Sequence, residues 1–439
     1  MAVALALTTS LFAQAGPTIP GSGSGTSVPP PPSTSPRAPK PDLGLGVPAP
    51  GVLLGLSPDE IQRVLTAAPG SPLEKMRTLA ANRARLGDPT LTIVPGRHLI
   101  DRRFNKAVPK NQALNLGFLA DWNQLVDALG LAYAVTGNVA YAMRVDDHLR
   151  PWANYRPPMG VGGAAGGEPS IYHREFVGAF RAAEHCWLAL SPAGRAAAVH
   201  LAKTIETRSD DWWSLTPWIR GNHAAASAQT GLCAAILLVR AAQTDPALIS
   251  PADADARLLR FTSAGRALPQ QTLVGGPLRA PGLLGFTAAV EIGLLSEANR
   301  AIWQGRGLPA GIPLGATLDL VDHASDERMA YHGLTTHHLL TSYWALVRSG
   351  ITFGSTGVEA QQRASIGALL ECSRPYLEGG QHLPGTTDKV PNPVTDPRTR
   401  EVIALAARLF PEKAWLTALA ARGTPTSYAE LYAEVAVFN

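Results

Sequence analysis

The sequence predicts an all-α protein, a closed or nearly closed toroid of antiparallel helical hairpins. Three observations carry this expectation. Segments with helical apolar spacing follow one another along most of the chain, each bounded by recognisable caps and stops. Strand-like alternation is almost absent. Several neighbouring helices are separated by almost no loop, which makes them antiparallel partners. No repeat at the period of tetratricopeptide or HEAT arrays is visible, so a stacked-repeat solenoid is disfavoured.

The chain has 439 residues, 46% of them hydrophobic and 16% charged, so a large core is available. The net charge is only +4, and no Lys/Arg-rich block or interleaved aromatic array appears, which argues against nucleic acid as a partner. Residues 1–15 read as a signal peptide lacking its basic start. The apolar stretch ends in Ala13-Gln14-Ala15, a small-x-small cleavage pattern, and is too short to span a bilayer. No later segment reaches that length either, so membrane insertion is not expected. Residues 16–52 form a Pro/Gly/Ser-rich linker: residues 16–50 alone hold 11 of the 37 prolines. The folded domain is expected over 53–439, with the protein secreted or periplasmic. Cys186, Cys233 and Cys372 cannot all pair and each sits in an apolar helical context that suits burial.

Within the domain, Ser57-Pro58-Asp59-Glu60 offers an N-cap, a proline at the first helical position and a capping-box glutamate. Ser71-Pro72-Leu73-Glu74 repeats the device, with a stop at Gly87. The next helix presents Leu119, Trp122, Leu125, Val126 and Leu129 on one face and stops at Gly137. Asn138 starts its antiparallel neighbour. Ser191-Pro192 begins a helix through about residue 205. Further helices are expected over 222–242, 251–265, 287–305, 335–348, 357–376, 398–410 and 412–422. The loop Gly160-Val161-Gly162-Gly163-Ala164-Ala165 formally fits a dinucleotide fingerprint. It follows Arg156-Pro157-Pro158 rather than a strand, so nucleotide binding is not expected.

Two short stretches carry candidate chemistry. Asn222-His223 stands at the mouth of a long, almost uncharged apolar helix, with Asn222 read as its N-cap. About a hundred residues later, Arg328 and Tyr331 share a helix face if that turn is helical, and His332 follows. A cation beside a phenol favours phenolate. An amide, an imidazole, a guanidinium and a phenol together suit β-elimination across a uronic acid. Amide and guanidinium donors neutralise the substrate carboxylate, which acidifies the C5 proton. A base removes that proton and an acid protonates the leaving O4. The scheme requires neither cofactor nor metal.

Asn222-His223 at a helix mouth, followed by Arg328-x-x-Tyr331-His332, resembles the alginate lyase family of polysaccharide lyases. The segment LADWNQLVDALGLAYAVTGNVAYAMRVDDHLRPWA is similar to that family's early helical hairpin, and a diffuse similarity runs over most of residues 100–410. The resemblance implies an incomplete (α/α) toroid and an acidic polysaccharide substrate such as alginate or glucuronan. It implies that Asn222 steadies the substrate carboxylate and that His223 neutralises it or acts as base. Tyr331 would be the acid and, in syn elimination, the base as well. Arg328 matches an arginine of the same motif. The chain departs from the pattern at Gly221, at Ala224-Ala225-Ala226 and at Ser325, where some members carry an arginine.

Further substrate contacts are expected from Tyr172, His173 and Arg174, which equally suit a structural helix start, from Trp213 and Trp218 just before the Asn-His pair, and from His332, whose alternative role is to support Tyr331 from behind. Trp122, Trp152 and Trp212 are sugar-stacking candidates whose commoner role is core. His323, His332, His337 and His338 fit no standard zinc spacing, and His337 and His338 are expected to straddle a helix face and the cleft rim. Two rival readings remain. A glycoside hydrolase needs two carboxylates, for which Asp326 or Glu327 with Asp121 or Glu168 are available. A non-catalytic glycan-binding toroid would keep the groove without the reaction.

Overall fold

The structure is a computed structural model. It describes residues 54–86, 116–155, 176–215, 221–262, 328–350, 356–379 and 397–422, and most of 293–317 together with 290 and 320. The described elements are helical, with one isolated antiparallel bridge between Leu294 and Thr317. They are α1 (Pro58–Leu65), α2 (Pro72–Leu86), α3 (Leu116–Thr136), α4 (Val139–Leu149) continued by a 3₁₀ turn (Arg150–Asn154), and α5 (Val177–Cys186). There follow α6 (Pro192–Leu215), α7 (Gly221–Thr244), α8 (Pro251–Thr262), α9 (Arg300–Gln304), α10 (Arg328–Arg348), α11 (Thr356–Gly379), α12 (Pro397–Leu409) and α13 (Ala414–Ala420).

The local signals explain where these helices begin. Ser57 forms a complete capping box with Glu60. The Asn138 side chain accepts from the Ala140 N–H, one residue after Gly137 has turned the chain at φ 66°. The Ser191 hydroxyl accepts from the Gly194 N–H and donates to the Asp146 carboxylate of α4, so one cap also ties two helices together.

Consecutive helices alternate between two layers. A central row runs α3, α5, α7, α10, α12, each packed on the next, while α2, α4, α6, α8 and α11 flank it. Side-chain pairings show that the central helices run in one direction. Between α3 and α5, Asn123 accepts from the Ala179 N–H, Asp127 pairs with Arg181, and Gly130 lies on Ala182. A Cβ on Gly130 would come within 2.5 Å of the Ala182 Cα, so this crossing is only as close as a glycine permits. Between α10 and α12, His337 meets Glu401 and Tyr343 stacks on Phe410. Between α7 and α10, His338 bonds Gln229. Glu184 at the end of α5 lies within electrostatic reach of both Arg240 near the end of α7 and Arg348 at the end of α10. A parallel central row with an alternating outer layer is the layout of the expected toroid of hairpins.

The row is held by apolar burial. From Ala228 to Val239 every residue of α7 is buried, which explains why so long a segment carries almost no charge. Trp122, Trp152, Tyr155 and Phe176 pack ring against ring beside α3 and α5. The three cysteines are buried and unbridged, and burial pushes each thiol up, away from nucleophilic chemistry.

The chain before α1 is fastened across the carboxyl ends of the central helices. Glu184 accepts from the Leu54 and Gly55 N–H groups at 2.7 and 2.8 Å, and His185 Nε2 accepts from the Leu56 N–H at 2.8 Å. Arg348 donates to both Glu60 carboxylate oxygens and to the Gly55 carbonyl.

Several expectations are corrected. The helix expected over 287–305 is interrupted, because Leu294 and Leu295 bond to the segment 315–317 instead of to their own turn. Asn299 holds that loop by accepting from the Ser296 N–H and donating to the Leu294 carbonyl. Among the described residues, Val290 and Gly293 are helical before the break, and Arg300–Gln304 forms a separate short helix after it. The helix begun at Ser191-Pro192 runs to Leu215, ten residues further than expected, and α11 ends at Gly379 rather than at 376. Helix α10 begins at Arg328 rather than at 335. The glycine-rich loop at 160–165 lies outside the described residues, as do the expected signal peptide and linker.

Candidate active site

The parallel row determines which expected site residues can meet. Asn222 is in the first turn of α7, inside the helix that begins at Gly221 rather than capping it, and its side chain is buried. Arg328 and Tyr331 are both in the first turn of α10, three residues apart as expected, and Tyr331 is half-buried. His223 follows Asn222 on α7. The side chains of His223 and Arg328 lie outside the described residues.

The register between the two helices comes from His338 Nδ1, which bonds Gln229 Oε1 at 2.5 Å with both residues buried. A carboxamide oxygen only accepts, so Nδ1 carries the proton and donates. Gln229 lies seven residues after Asn222, and His338 lies seven after Tyr331. Seven residues are about two helical turns, which return a side chain to nearly the same face. Because α7 and α10 are parallel, Asn222 and Tyr331 stand at the same end of the row, on the stripes along which the two helices meet. The amino ends of α3, α5 and α12 point to that side as well. Each contributes a partial positive charge that favours an anion.

His332, expected at the substrate, has another place. Its ring is fully buried, with Nδ1 3.1 Å from the Thr317 hydroxyl and Nε2 2.9 Å from the Ser373 hydroxyl. Ser373 donates its own proton to the Leu369 carbonyl at 2.8 Å, so it accepts from His332 Nε2–H. The imidazole is thus held in place inside the packing. It joins α10 to α11 and to the loop before α10, and the backbone of Tyr331 next to it is fixed in turn. His338 is buried, whereas His337 is half-buried. Their rings lie edge to face, one toward Glu401 of α12 and the other toward Gln229 of α7.

Of the tryptophans, Trp122 and Trp152 are core residues with almost no exposed surface, so neither is a stacking platform. Trp212 and Trp213 lie on the last turns of α6, and their side chains lie outside the described residues. Trp218, Tyr172, His173 and Arg174 lie outside them entirely. So do Asp326, Glu327 and Glu168, and the side chain of Asp121, on which a two-carboxylate hydrolase would depend.

The sequence reading missed two neighbours of this end. Gln229 looked like one polar residue in an apolar helix, and no local signal marked its partner. Tyr376 is buried, and its hydroxyl lies over Gly333, where an added Cβ would meet it at 3.1 Å.

No family model matches the chain, and no curated protein matches it. Among solved structures, an alginate lyase from Bacteroides ovatus is similar over 89% of this chain and 100% of its own, with 15% sequence identity and a TM-score of 0.49.

Proposed function

We propose that this protein is an exported polysaccharide lyase that cleaves a uronic-acid-containing polymer by metal-independent β-elimination. The observation that carries the reading is the register of α7 and α10, by which Asn222 and Tyr331 share one end of two parallel, directly bonded helices. In the proposed reaction, Asn222 and Arg328 hold the substrate carboxylate and draw charge from it. The C5 proton passes to His223 or Tyr331. The electron pair forms the C4–C5 double bond as the C4–O4 bond breaks, and Tyr331 protonates O4. One proton leaves C5 and one reaches O4, so the step is balanced without a redox partner. The aligned amino ends of the central helices add a field suited to a polyanion.

The test is a screen of purified protein against polymannuronate, polyguluronate, glucuronan and a glycosaminoglycan. Elimination creates an unsaturated uronate end whose ultraviolet absorbance is followed directly. A rising signal on one polymer supports the proposal and identifies the substrate. New reducing ends without absorbance would instead indicate hydrolysis. Binding without either product would indicate a glycan-binding toroid.

A further inference from the structure

We infer that the buried Gln229–His338 pair is a positioning device for the candidate site, setting the separation and register of Asn222 and Tyr331. The inference rests on the proposed lyase reading for its kinetic consequence, but its structural content stands apart from it. The pair is a direct side-chain bond between α7 and α10, two turns from the reactive end on both helices at once. The polar groups facing it belong to the row itself. His337 lies edge to face against His338, and it reaches Glu401 of α12 at 3.2 Å. The adjacent histidines therefore face both neighbours of α10 in the central row at one level, with the hydrogen bond made by His338.

Apolar packing alone leaves the sliding of one smooth helix on another weakly specified, because α7 offers mainly Ala, Leu, Ile and Val along this stretch. A buried directional bond defines one register, since any slip leaves a donor and an acceptor unmatched in a dry interior. Slip at this level is carried to Asn222 and Tyr331 undiminished, because each is linked to the pair by two turns of continuous helix. Misplacement of about 1 Å costs on the order of a hundredfold in rate when reacting groups must be aligned.

The variants are Gln229→Leu, His338→Leu and His338→Asn. An Asn side chain offers an N–H close to where Nδ1 stands and can keep the bond, whereas Leu cannot. Two readouts are taken on the full-length protein. The first is hydrogen exchange, compared between the opening turns (222–229 and 331–338) and the later turns of the same helices. The Leu variants are expected to speed exchange at least tenfold in the opening turns relative to the later ones, with His338→Asn near wild type. The second is kinetics on whichever uronate polymer the wild type cleaves. The Leu variants are expected to lose about tenfold to a hundredfold in kcat with KM within about twofold, and Asn to restore most of the loss. Unchanged local exchange, or exchange raised equally along both helices, overturns the inference, as does a kcat equal to wild type. If the wild type cleaves no uronate polymer, the lyase reading fails and the exchange comparison still decides the positioning role.

Discussion

Replacing Glu184 with glutamine is expected to make the protein more stable relative to wild type as pH rises, by about 3 kcal/mol between pH 4 and pH 8. Glu184 is buried where α5, α7 and α10 end, and burial pushes its carboxyl up from 4.5 to about 7. The two N–H bonds from Leu54 and Gly55 and the cations of Arg240 and Arg348 oppose that rise without cancelling it. One carboxylate oxygen also lacks a hydrogen-bond partner. An acid whose pKa is raised by folding contributes stability that is fully present below the unfolded value. That stability is lost as pH climbs through the folded value, here between about 4.5 and 7. A shift of this size corresponds to about 3 kcal/mol. Glutamine keeps an oxygen for the Leu54 and Gly55 N–H groups but never ionises. Any constant cost of its extra amide hydrogens is the same at both pH values. Urea unfolding followed by circular dichroism across this range gives the difference directly. A difference that stays flat, or shrinks with pH, would mean that Arg240 and Arg348 hold Glu184 as a stable carboxylate, and the burial argument would be wrong.

Three further outcomes follow from the same packing. Burial lowers His185 to about 3 while its Nε2 accepts from Leu56, so the wild type loses stability as pH falls from 6.5 toward 3. His185→Gln, which keeps an acceptor, should flatten that acid limb in the same unfolding series. Arg348→Met leaves the buried Glu60 carboxylate without its guanidinium and should cost roughly 3–5 kcal/mol, while the double variant with Glu60→Gln, which keeps the capping oxygen, recovers part of it in thermal unfolding. Gly130→Ala drives a methyl group into the Ala182 backbone and should cost about 1–3 kcal/mol, where an alanine at an open helix position would gain.

Much of the fold was legible because it is written locally. The capping box at Ser57, the turn at Gly137-Asn138 and the start at Ser191-Pro192 each act within four residues, and each helix begins where its cap stands. What failed was decided at a distance. The apolar spacing over 287–305 is that of one helix, but Leu295 bonds to Gly315 and Ala316, and that pairing interrupts the run before Arg300–Gln304. The identity of the candidate site residues was legible from type and spacing, and Arg328 and Tyr331 do share a helical turn. Their relation to Asn222 was not, since it depends on one contact between residues 109 apart. His332 was misjudged for the same reason: a histidine beside a tyrosine suggests chemistry until Thr317 and Ser373 are seen to enclose it.

The most direct measurement compares wild type with Tyr331→Phe for ultraviolet absorbance on the uronate polymers, together with binding of the same polymers. Phenylalanine keeps the ring and removes only the proton that the account assigns to O4. The account predicts a rising signal for wild type on at least one polymer, with loss of about a hundredfold or more in kcat for the variant and retained binding. Turnover undiminished in Tyr331→Phe would contradict it.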